Sequence, residues 1–221
     1  LKLASHGRNN RQDVVKDEAA PTEEAKPATL ADARDLMMQG SYEAATEAYA
    51  KLSNDPQQAV QAGLGLARCR LQVGQYDEAI AGLTALNAET SAEWHELLAE
   101  LLTRLGKYAD AQTHLQAALK IDERHAAARL QLGRLQELLG RRDEAIETYR
   151  WFDRQLLERP DLPKDAAWIT DTALGFLRYS VLTGSEVPRR TQHVLGEMLQ
   201  QAYTRLDRTY WPARIAAGDL L

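Results

Sequence analysis

At 221 residues the chain is long enough for one or two domains, and 44% hydrophobic with 27% charged residues describes a globular chain with an apolar interior. A net charge of −5 and a pI near 5.6 lack the clustered basic excess that a nucleic-acid footprint requires. Cys69 is the single cysteine, which excludes an intramolecular disulfide and a cysteine-based zinc site, and no apolar run approaches the roughly 18 residues that span a bilayer.

Residues 1–28 are polar, mixed in charge and without periodicity, and contain Pro21 and Pro27, so they read as a flexible linker. From Thr29 onward four segments align: Gly40-Ser41-Tyr42, Gly74-Gln75-Tyr76, Gly106-Lys107-Tyr108 and Gly140-Arg141-Arg142, each followed by Ala45, Ala79, Ala111 or Ala145. Their glycines recur at intervals of about 34 residues, the spacing of a two-helix repeat. A glycine placed where a first helix ends takes the left-handed conformation without a Cβ penalty. Small residues also stand at Ala33, Ala67, Ala99 and Gly133 on the first helices, where paired helices would cross closely. Tyr49, Leu83, Leu115 and Tyr149 on the second helices are expected to pack against the next repeat, so that burial is shared between neighbours.

These residues resemble the tetratricopeptide-repeat (TPR) family over about 29–159, as four repeats. The resemblance implies an all-α solenoid, a right-handed superhelix of antiparallel hairpins. Leu52, Leu86 and Phe152 depart from it, since the family usually has a small residue there, and the usual proline is missing after Asp122. Residues 160–209 lose the phase and read as a diverged, lengthened helical hairpin: a turn at Pro160–Pro163, a helix from Lys164 to about Thr183, a break at Gly184, and a second helix from Pro188 to about Asp207. Residues 210–221 restart the pattern as a truncated further repeat. With Leu1 in place of Met, this leads us to expect a fragment of a longer polypeptide. The succession also resembles, less specifically, the N-terminal part of bacterial multi-repeat proteins that sometimes carry a downstream metallopeptidase-like domain. That likeness leaves the compartment open, an exported or periplasmic setting being slightly favoured over the cytoplasm.

No catalytic or metal constellation emerges. His95-Glu96 lacks the second histidine four residues on, where Ala99 stands, so a zinc-protease helix is excluded. His193 and Glu197 read as a surface i,i+4 pair, while His6, His114 and His125 show no partner pattern. Cys69, between Arg68 and Arg70, reads as a semi-buried structural thiol despite the depressed pKa such neighbours can impose. Trp94, Trp151, Trp168 and Trp211 read as packing residues at the seams between repeats, with Trp211 a wedge between the fifth hairpin and the truncated sixth unit.

In the TPR family the ninth position of each repeat points into a concave groove. By that resemblance the candidate ligand-binding residues are Arg34, Arg68, Glu100 and Arg134, with Arg104 one turn after Glu100. Arginines in phase suit the carboxylates of a peptide through bidentate contacts. The expected function is a non-enzymatic protein–protein interaction scaffold, without cofactor or metal, binding a peptide or partner protein on the concave face, with no nucleic acid and no membrane insertion. The alternative is an accessory module of a larger exported enzyme, to be distinguished by a His-Glu-x-x-His helix downstream.

Overall fold

The computed structural model describes residues 29–157, 165–208 and 210–218; the expected linker and the turn at Pro160–Pro163 lie outside them. In chain order the helices are α1 (Leu30–Met38), α2 (Tyr42–Leu52), α3 (Ala59–Gln72), α4 (Tyr76–Leu86), α5 (Ala92–Arg104), α6 (Tyr108–Ile121), α7 (Ala126–Leu138) and α8 (Arg142–Leu157), followed by α9 (Ala166–Thr183), α10 (Arg189–Gln201) and α11 (Trp211–Gly218). A single π-helical turn, Ala202–Leu206, extends α10. Among the described residues there is no strand.

The first helix of each hairpin ends by one device. Gly40, Gly74, Gly106 and Gly140 have φ between 72° and 82°. At Gly40 the glycine N–H donates to Met37 O, and the next N–H, of Ser41, donates to Leu36 O at 2.9 Å. This pair of bonds satisfies carbonyls that the helix end leaves open and reverses the chain within three residues. The same bonds recur at the other three glycines and at Gly184, where φ is 67° and Ser185 N donates to Ser180 O. The fifth hairpin therefore keeps the turn chemistry of the repeats although its length differs.

Connections this short force each pair antiparallel, and small residues let the pairs approach. Ala33, Ala45, Ala79, Ala99, Ala111 and Ala145 are all wholly buried. Aromatic side chains of second helices close the remaining gaps on glycine. A Cβ at Gly65 would overlap the Tyr49 ring, and one at Gly175 would overlap Phe152, each across a seam between hairpins. Tyr149 behaves differently from the expectation: its ring lies on Gly133 of its own hairpin, and its hydroxyl donates to Glu137 Oε1 at 2.8 Å. Phe152, one turn on, takes over the contact with the next hairpin.

Two tryptophans lock seams by burying the ring and donating the indole N–H to a backbone carbonyl: Trp94 to Leu83 O of the preceding hairpin at 2.7 Å and Trp168 to Arg124 O, in the connection before α7, at 3.0 Å. Trp151 packs edge-on against Phe152 and Trp168. Trp211 corrects the expected wedge, because it stands on α11 with 49% of its surface exposed. Cys69 is wholly buried rather than semi-buried, and burial raises its pKa.

The first helices α1, α3, α5, α7 and α9 each pack on the next in that series, whereas the second helices make no comparable contacts with one another. An inner layer in contact and an outer layer splayed apart curve the stack toward the first helices. The π turn and α11 pack back on α9, bringing Asp207 to α1, where Arg34 Nη2 lies 2.6 Å from Asp207 Oδ2.

Candidate functional groove

The concave side carries a charged groove. On α5, Glu93, Glu96, Glu100 and Arg104 follow one another at three- and four-residue steps, so they share one helical face. Across from them, Arg68 of α3 places Nη1 2.6 Å from Glu93 Oε1 and Nη2 3.6 Å from Glu96 Oε2. Burial opposes the charge of Arg68, but the Glu96 and Glu93 carboxylates outweigh it and hold its pKa above the ordinary value. Glu96 also accepts a hydrogen bond from Gln131 Nε2 of α7. Only 6% of Glu96 is exposed, and burial, opposed by Arg68 and reinforced by Glu100, Asp171 and Glu93, pushes its pKa to about 7.

Asp171 of α9 completes the floor. It is half-buried, and burial, opposed by Arg134 and reinforced by Asp165 and Glu100, pushes its pKa to about 7. Among the described residues its carboxylate takes part in no hydrogen bond or ion pair. The same holds for the exposed guanidinium of Arg134.

Two compartments make up the groove. One, of about 490 Å³, lies between α5, α7 and α9 and is lined by Glu100, Arg104, Arg134 and the apolar Leu130, Leu135 and Leu138. The other, of about 530 Å³, lies toward α1 and α3 and is lined by Arg34, Arg68, Met37, Tyr49 and Tyr210. Glu96, Ala127 and Asp171 line both, so the two adjoin.

All five sequence-predicted residues face these compartments, but most are already engaged. Arg34 pairs with Asp207, Arg68 with Glu93 and Glu96, and Arg104 Nη2 lies 3.6 Å from Glu100 Oε1. Asp207 after the π turn, Glu93 and Glu96 on the next inner helix and Glu100 on the same helix thus answer the charges of Arg34, Arg68 and Arg104. Glu93 and Glu96 were within reach of sequence reasoning, since they continue the face of Glu100 toward the helix start. Asp171, Asp165 and Tyr210 were not, because the repeat phase that assigns a ninth position is lost before them.

Elsewhere, His114 does have a partner: its Nδ1 lies 2.9 Å from His95 Nδ1, while His95 Nε2 bonds Glu89 O. Burial and the neighbouring His95 lower the pKa of His114. His193 and Glu197 form the expected surface pair at 3.3 Å. No group of three potential metal ligands occurs among the described residues, and none of their helices is long and apolar enough to cross a membrane.

Curved tandem hairpins with glycine-capped first helices and a charged inner face define a helical-repeat solenoid. The family model for the tetratricopeptide repeat matches residues 36–101 and 102–150, more than half of the chain, and the chain belongs to that family. No curated protein matches it. Among solved structures, a thermophilic TPR protein of Thermus thermophilus is 20% identical, with a TM-score of 0.56 over 86% of this chain and 96% of that one. A tetratricopeptide repeat protein from Parabacteroides merdae is 19% identical, with a TM-score of 0.49 over 86% of this chain and 70% of that one. YrrB, a TPR protein with an unusual peptide-binding site, is 21% identical, with a TM-score of 0.45 over 86% of this chain and 90% of that one. At these identities the likeness concerns the fold alone.

Proposed function

We propose that this chain is a non-enzymatic interaction module that holds an extended segment of a partner protein in its concave groove. The observation that carries the reading is that the two compartments meet at Glu96, Ala127 and Asp171, so that open space lies along successive inner helices. A groove lined by oriented charges with exposed apolar surface at Leu138 suits a peptide backbone with alternating side chains better than a flat protein face. Within it Arg134 is the best placed of the five candidates to meet a ligand. Arg34, Arg68, Glu100 and Arg104 set the field around it through the pairs they already form.

Ala127 supplies the test, because it is half-buried on α7 and lines both compartments. Peptides selected by display on the wild-type chain are to be titrated against Ala127→Phe, with helical circular dichroism and Tm confirming that the variant folds. A tenfold or greater loss of affinity is expected. Equal affinity for both proteins would overturn the groove as the binding surface.

A further inference from the structure

The compartment between α5, α7 and α9 brings together a carboxylate and a guanidinium that, among the described residues, no hydrogen bond or ion pair engages. Asp171 and Arg134 both line it, and among the described residues neither enters a hydrogen bond or an ion pair. Beside them the exposed apolar surface is that of Leu138, 59% exposed, backed by the buried Leu130 and Leu135. Resting on the groove reading above, we propose that this compartment is the specificity site of the groove and takes a dipolar peptide segment. A Lys or Arg side chain is set against Asp171 with its methylene stem on Leu138, and an Asp or Glu side chain is set against Arg134.

Charge decides against the simpler ligands. Beyond Arg134, a wholly acidic segment would have to displace Asp207 from Arg34, or Glu93 and Glu96 from Arg68, and would then sit among Glu96, Glu100, Asp165 and Asp171. A wholly basic segment would meet Arg134, Arg104 and Arg68. A cation placed on Asp171 instead offsets the repulsion that Asp165 and Glu100 exert on it, and an anion on Arg134 completes the exchange without breaking any internal pair. Charge-assisted contacts that replace unengaged groups are the ones that favour binding, because no existing partner is lost. The long stem of a lysine covers apolar surface while its ammonium reaches the carboxylate.

The experiment uses fluorescein-labelled octapeptides carrying one Lys and one Glu, separated by one or by three residues so that both side chains fall on one face of an extended chain, in both orders. Lys/Lys, Glu/Glu and Met/Gln peptides serve as controls in fluorescence polarisation. At least one Lys/Glu peptide is expected to bind tenfold tighter than its Lys/Lys and Glu/Glu counterparts. Asp171→Asn, which keeps the side-chain shape and removes only the charge, should cost about tenfold. That loss should vanish when the peptide Lys is replaced by Met. Arg134→Gln should show the same coupling to the peptide Glu. A Glu/Glu peptide binding best, an Asp171→Asn variant that binds Lys/Glu peptides as well as wild type, or no binding by any designed peptide would each overturn the proposal. If display-selected peptides still lose affinity for Ala127→Phe in those cases, the groove reading survives and only this specificity falls.

Discussion

Arg34 and Asp207 stand 173 residues apart in sequence and 2.6 Å apart in space. Their contact joins α1 to the segment after the π turn. The Arg34 side chain is 50% exposed and that of Asp207 17%, and an ion pair so open to water contributes at most about 1 kcal/mol. A double-mutant cycle of Arg34→Gln and Asp207→Asn by urea unfolding should therefore give a coupling below about 1 kcal/mol. A coupling of several kcal/mol would mean that closure, rather than neighbour-to-neighbour packing, holds the array.

Ala111 is wholly buried where α6 meets α5. Ala111→Leu forces a branched side chain into a filled crossing and should destabilise by about 1–3 kcal/mol. Thermal unfolding checks it, and an unchanged Tm would contradict the assigned crossing.

Gly175 and Gly196 form an opposed pair. A Cβ at Gly175 would overlap the Phe152 ring, whereas at Gly196, inside α10, nothing lies within 4 Å. Gly175→Ala should destabilise by about 1–3 kcal/mol, and Gly196→Ala should stabilise by about 0.5–1 kcal/mol through helix propensity. The sign difference between the two, read by denaturant midpoint, is the check.

Asp171 and Glu96 both stand at about 7 in the fold, above ordinary values of 3.8 and 4.5. Between those limits the folded chain holds protons that the unfolded chain has released. Their contribution is therefore fully present below about pH 4 and is lost as pH rises through about 7. His114 and His125 are shifted downward by burial and act with the opposite sign below their ordinary value of 6.5. The difference between Asp171→Asn and wild type isolates the carboxylate. The variant should gain stability relative to wild type on going from pH 5.5 to pH 8, by roughly 1–2 kcal/mol. A constant difference across that range would show that Asp171 titrates at its ordinary value.

The repeat fold was legible because its determinants are local and periodic. Glycine at each first-helix end fixes a turn that few other residues tolerate, and alanine at each crossing fixes the approach. Gly184 shows how far that signal reaches, for it was read only as a break within a diverged hairpin although its turn is the same as the others. The groove was legible in part. The ninth positions were found, but the phase rule names one residue per helix, so Glu93 and Glu96 on the same face were passed over. The Arg34–Asp207 contact depends on the summed curvature of five hairpins, which no local pattern carries. His114 escaped because its partner lies 19 residues away on the facing helix, outside any single-helix spacing.

Binding on the inner helices, rather than on the outer ones, is what every functional reading above depends on. Photo-crosslinking separates the two surfaces, with a benzoylphenylalanine placed at Thr103, which lines the groove, or at Gln116, exposed on the outer helix α6. A binding partner should crosslink from position 103 and not from 116, and free display-selected peptide should compete the product away. Crosslinking from 116 with none from 103 would place the partner on the outer face and contradict the groove.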